Sequence, residues 1–190
     1  MTILARFAGP LALLGGAVWV TANLIQIATP LSYAWIGLFG AMLLIGAAAL
    51  GLQRQFGART GMLGRWGAAA TATASGVLLT FLLLAAIGRI DTANPPPPIL
   101  LAISLLGLLL WLVGSLVFAV GLMRAKAISP ISGWLIGLGA VVSPLAVIVG
   151  GQNPPPYIYL PLVIYGIGWV LVGYETRGSV ADLGTAEQAA

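Results

Sequence analysis

The sequence contains no cysteine and no histidine, and only four carboxylate side chains: Asp91, Glu175, Asp182 and Glu187. Without cysteine there are no disulfides, no thiol nucleophile and no evidence about redox compartment. Without histidine, the usual metal sites, His-ligated haem or chlorophyll and imidazole acid–base catalysis are excluded. Charge of either sign is scarce, at 6% of residues against about 25% in soluble domains. The four carboxylates all fall outside the long apolar runs, which removes proton or sodium coupling through a buried acid. No feature of this kind points to an enzyme.

What is present is apolarity. Hydrophobic residues make up 60% of the chain and the mean hydropathy is +1.07. Six segments approach the length of about 20 apolar residues that a hydrocarbon core demands of a helix: 7 to 28, 33 to 52, 66 to 88, 99 to 122, 132 to 150 and 157 to 174. Runs this long, uninterrupted by polar alternation, suit helices rather than barrel strands. The predicted fold class is all-α, a polytopic membrane protein with six transmembrane helices in a bundle over 1–174 and a polar cytoplasmic tail over 175–190. Arg6, the apolar stretch after it and Val20-Thr21-Ala22 have the form of a signal peptide. The apolar run continues to Ala28, however, so it reads as a retained helix.

Of the eight Lys and Arg residues, Arg6, Arg54, Arg59, Arg65, Arg124, Lys126 and Arg177 fall on one side of these spans and only Arg89 on the other. Basic short loops resist translocation, so the first side is expected to be cytoplasmic, with both termini inside an inner (plasma) membrane. The basic residues are scattered at helix ends rather than clustered, a topogenic pattern and not a nucleic-acid footprint.

The phrases NPPPP at 94–98 and NPPP at 153–156 recur just before the fourth and sixth spans. Proline lacks an N–H and has a fixed φ, so it suits a helix's first turn and discourages helix in the residue before it. Asn94 and Asn153 are placed to cap or turn the chain. The even spans close alike, with Gly51-Leu52-Gln53-Arg54, Gly121-Leu122-Met123-Arg124 and Gly173-Tyr174-Glu175. The odd ones reopen with Gly64-Arg65-Trp66-Gly67 and Gly133-Trp134, the pattern of three repeated helical hairpins.

Helix contact in lipid depends on small residues, and there are 26 glycines. Gly107, Gly114 and Gly121 recur every seven residues on one stripe of the fourth span, and Gly133 and Gly137 form a GxxxG pair. The slim run WGAAATATASG, 66–76, marks the third span as the expected centre. Trp35, Trp66 and Trp134 sit where an interfacial belt is expected.

The candidate ligand-binding residues are Trp19, Asn23 and Gln26, which share one face of the first helix, and Trp111 in the fourth. As a site they would hold a bound lipid, a quinone headgroup or a carotenoid end group. As structure they are interhelical contacts; Trp111 and Trp169, away from the helix ends, face either a pigment or lipid tail as a site, or the core or surrounding lipid as structure. Thr71, Thr73, Ser75, Thr80, Ser104 and Ser115 offer either a polar path or hydroxyls bonded back to their own helices. Arg89 and Asp91 are the charges of the outer loops.

The inner-loop pattern GLQRQFGARTGMLGRWG, with the Gly-rich six-helix layout, resembles small uncharacterised bacterial integral membrane proteins. That resemblance implies a six-span fold and carries no activity with it. The expected function is a non-catalytic accessory or scaffold subunit, with the lipid bilayer and other membrane-protein subunits as partners and no nucleic acid. The alternative is a small permease or channel for a neutral or lipid-like solute.

Overall fold

The computed structural model describes residues 3–29, 34–86, 98–150 and 156–177. Arg89, Asp91, Asn94, Asn153 and the tail beyond 177 lie outside the described residues, as do the side chains of Trp35, Ser104 and Pro144. Among the described residues the secondary structure is helical, with no strand: α1 (Ile3–Arg6), α2 (Ala8–Ala28), α3 (Ala34–Ala86), α4 (Pro98–Arg124), α5 (Pro130–Gly150), a 3-10 turn (Pro156–Tyr159) and α6 (Leu160–Arg177).

Proline sets several of these boundaries. Pro98, Pro130 and Pro156 are each the first residue of their element, where a missing N–H costs nothing. Pro10 acts differently. It cannot donate to the Arg6 carbonyl four residues back and its ring crowds that carbonyl, and the helix breaks at Phe7, between α1 and α2.

Among the described residues three helices are long and apolar enough to cross a membrane: α2, α3 between Gly37 and Phe81, and α4. At 21 residues, α2 is about 32 Å long, matching a hydrocarbon core of about 30 Å. The six separate spans read from the sequence are not all matched. The described apolar stretch of α5, Pro130–Ser143, is shorter, and the 18 residues of α6 end on Glu175, Thr176 and Arg177. The predicted second and third spans lie within one 53-residue helix, α3.

That helix does not run straight. Gly61 has φ 59° and ψ −146°, which no helix contains. On a straight helix Gly46 and Ser75 would stand about 44 Å apart, yet a Cβ on Gly46 would lie 3.2 Å from the Ser75 Cβ. The chain therefore folds back at Gly61, and its two limbs, 34–60 and 62–86, pack antiparallel. The stretch 53–65, expected as an inner loop, is helical except at this one residue. Its Gln, Arg, Leu and Met are good helix formers, so only Gly61 breaks the run.

The segments pack in a closed ring: α2 on the first limb, the second limb on α4, α4 on α5, α5 on α6, and α6 back on α2. Glycines stand at the seams. A Cβ on Gly15 would meet Ile45 at 3.1 Å, on Gly16 the Gly166 oxygen at 2.6 Å, on Gly114 the Thr71 nitrogen at 2.7 Å, and on Gly139 the Tyr165 Cα at 2.6 Å. The Gly107, Gly114 and Gly121 stripe faces the second limb throughout, and Gly133 and Gly137 face α4. Because lipid tails give helices no apolar reason to associate, such backbone approach is what contact depends on.

The run 66–76 is not the centre. It lies on the ring, with Gly67, Ala68, Thr71, Ala74 and Ser75 buried while Ala69, Thr73 and Gly76 are exposed. The middle is filled by large rings from α2, α4 and α6.

Candidate functional site

Trp19, Trp111, Phe118, Tyr165 and Trp169 are buried together. On α4, Trp111 and Phe118 are seven residues apart and share a face, with Ser115 between them. On α6, Tyr165 and Trp169 are four apart. Tyr165 is the hub: its ring centroid lies 4.6 Å from that of Trp111, 5.5 Å from Trp19 and 6.3 Å from Trp169. Trp19 and Trp111 are 5.8 Å apart, and Phe118 stacks on Trp169 at 6.2 Å. These are distances of rings in direct contact, so each fills the space beside the next.

Two hydrogen bonds tie the cluster across the ring. Trp19 donates through Nε1 to the Leu162 carbonyl at 2.8 Å, joining α2 to α6. The Tyr165 hydroxyl and Ser115 Oγ pair at 3.2 Å, joining α6 to α4. Asn23 is fully buried one turn beyond Trp19 and donates through Nδ2 to the Trp19 carbonyl at 2.8 Å. Beside the cluster, Asn23 Oδ1 and Trp169 Nε1 are buried without a hydrogen-bond partner among the described residues.

The structure thus brings together Trp19 and Trp111 and places Asn23 one turn from them. Gln26 is half-buried nearer the end of α2. Tyr165, the residue that joins the others, was missed. The signal available was the four-residue spacing of Tyr165 and Trp169 on a helix whose Gly166 and Gly168 mark its contact faces.

The hydroxyls of the second limb turn inward on their own backbone. Thr71 donates to the Gly67 carbonyl at 2.8 Å, Ser75 to that of Thr71 at 2.9 Å and Thr80 to that of Gly76 at 2.8 Å. Thr73 and Thr80 are exposed beside Gly76, Val77, Phe81, Leu84, Leu100 and Ile103, which line a groove of about 440 Å³ between the second limb and α4.

At the opposite end from Pro98 and Pro156, the antiparallel ring gathers Arg6, Arg54, Arg59, Arg65, Arg124, Lys126 and Arg177, all exposed. Trp66 and Trp134 are exposed at the same end, in keeping with a belt role. Glu175 faces the start of α5, accepting from the Ser129 backbone N–H and from Ser132 Oγ, each at 2.8 Å. A carboxylate there complements the helix N-terminus. Arg59 donates through Nη2 to the Ala125 carbonyl at 2.6 Å, tying the first limb to the turn after α4.

Comparison with protein-family models, with curated proteins and with solved structures returns no match, so the fold and the site are argued from this chain's own residues.

Proposed function

We propose that α2, the two limbs of α3, α4, α5 and α6 each cross the bilayer, with the seven basic residues at the cytoplasmic surface. On this reading the chain is a non-catalytic accessory or scaffold subunit packed against a larger membrane complex. The observation that carries it is the use to which buried polar groups are put. Thr71, Ser75, Ser115, Ser143, Thr176 and Trp19 all hydrogen-bond within the molecule. Of these, the Trp19 and Ser115 bonds run between helices, each contributing about 0.6 kcal/mol in a membrane interior, while the other four close on a carbonyl one turn back in their own helix and leave those hydroxyls spent. A permease path along Thr71 and Ser75 would need those hydroxyls facing a channel, whereas both are spent on carbonyls one turn back. A quinone or carotenoid beside Trp19 and Trp111 would have to displace rings already in contact.

Extraction from native membranes in mild detergent tests the proposal. The expected result is co-elution with a defined partner. Recovery as a single free 19.4 kDa species overturns it.

A further inference from the structure

Lys126 lies two residues beyond Arg124, the last residue of α4, and holds φ at 52°. Its N–H donates to the Met123 carbonyl and that of Ala127 to the Leu122 carbonyl, both at 3.0 Å. This is the Schellman closure of a helix, whose left-handed residue is usually glycine because a Cβ makes that conformation costly. The chain has 26 glycines, yet the position with most use for one carries a lysine. Strain held at one exposed cation is an observation from which a role can be argued.

The surroundings give that role a chemistry. The Ala125 carbonyl, left over at the helix end, accepts from Arg59 at 2.6 Å, so a guanidinium is fixed against the same turn. Arg59, Arg124 and Lys126 are all exposed. Glu175, the one carboxylate among the described residues at this end, has its oxygens taken by Ser129 and Ser132. Three cations against this one carboxylate leave the corner net positive within the described residues. Met62 and Trp66, exposed at 74% and 65%, supply apolar surface at the start of the second limb, whose Gly64 and Gly67 pack on the end of α4.

We infer that the corner formed by Arg59, Arg124 and Lys126 binds the phosphate of an anionic phospholipid. Arginine offers several fixed donors and lysine a mobile point charge, and both are attracted to the anionic cytoplasmic leaflet. The inference rests on the proposed placement of this end at the membrane surface, but not on the accessory role.

The test uses the full chain in mild detergent with equal amounts of phosphatidylglycerol and phosphatidylcholine, counting retained lipid by native mass spectrometry. The expected result is clear selectivity for phosphatidylglycerol. Lys126→Gly should reduce it about fivefold, the equivalent of one interfacial charge, while raising the melting temperature because the strained φ is relieved. Arg177→Gln, on α6, should leave selectivity unchanged. Equal retention of the two lipids overturns the inference, as does undiminished selectivity in Lys126→Gly or an equal loss in Arg177→Gln. Displacement of the lipid by inorganic phosphate also overturns it, since the site would then take free anions. None of these outcomes bears on partner co-elution, so failure here is distinguishable from failure of the scaffold reading.

Discussion

Two buried tryptophans on neighbouring helices differ in one atom's fate. Trp19 spends its N–H on the Leu162 carbonyl, whereas Trp169 has no partner for its own. Replacing either by Phe removes similar packing volume, but only Trp19→Phe removes a hydrogen bond. Trp19→Phe should therefore destabilise the protein by about 1 kcal/mol more than Trp169→Phe, read as the difference in melting temperature in one detergent. Equal losses would mean the Trp19 bond contributes nothing. At this scale the sequence was partly informative. The spacing of Trp19 and Asn23 put them on one face, and that face is buried. Tyr165 was legible only in part: its spacing from Trp169 marks a face of α6, but its importance comes from Trp111 and Ser115 on α4, and no pattern within α6 names partners on another helix.

Elements were more legible where backbone chemistry decides. Proline's lack of an N–H placed the starts of α4 and of the 3-10 turn, and the seven-residue glycine stripe gave the face of α4 that meets the second limb. The reversal at Gly61 was obscured because good helix formers flank it, leaving a single φ to decide. Gly61→Ala tests that claim: a Cβ there meets nothing within 4 Å, so any loss is conformational, and about 1–3 kcal/mol is expected. A matched pair separates contact from conformation elsewhere. On Gly16 a Cβ would stand 2.6 Å from both the Gly166 oxygen and the Val170 nitrogen, so Gly16→Ala must push α2 from α6, at a cost of about 1–3 kcal/mol. Gly76→Ala meets open space and should be neutral or stabilising by up to about 1 kcal/mol. Thermal unfolding of the three variants in one detergent ranks them.

For the molecule as a whole, the proposed crossings make a topological claim that the chain is well suited to test, because it contains no cysteine of its own. Single substitutions Lys126→Cys and Tyr157→Cys introduce exposed thiols at opposite ends of the ring. In sealed, right-side-out cells an impermeant maleimide should label Tyr157→Cys and spare Lys126→Cys, with the pattern reversed in inverted vesicles. Labelling of both from one side would defeat the proposed orientation. The count of basic residues by side was readable in the sequence. Which segments neighbour one another around the ring was not, because every helix carries small residues and apolar faces that fit several partners.

The return of α6 onto α2 leaves the first and last described segments side by side: a Cβ on Gly9 would lie 3.0 Å from the Arg177 nitrogen. The order in which the hairpins are strung together is then a convention of translation rather than a demand of packing. A circularly permuted chain, its old ends joined by a short Gly-Ser tether and its new ones cut at Gly61, keeps every seam and keeps both termini on the basic side. Such a permutant should insert, fold and label with the same sidedness as the parent, and failure to accumulate in membranes would show that the α2–α6 seam forms only after the rest has assembled in its natural order.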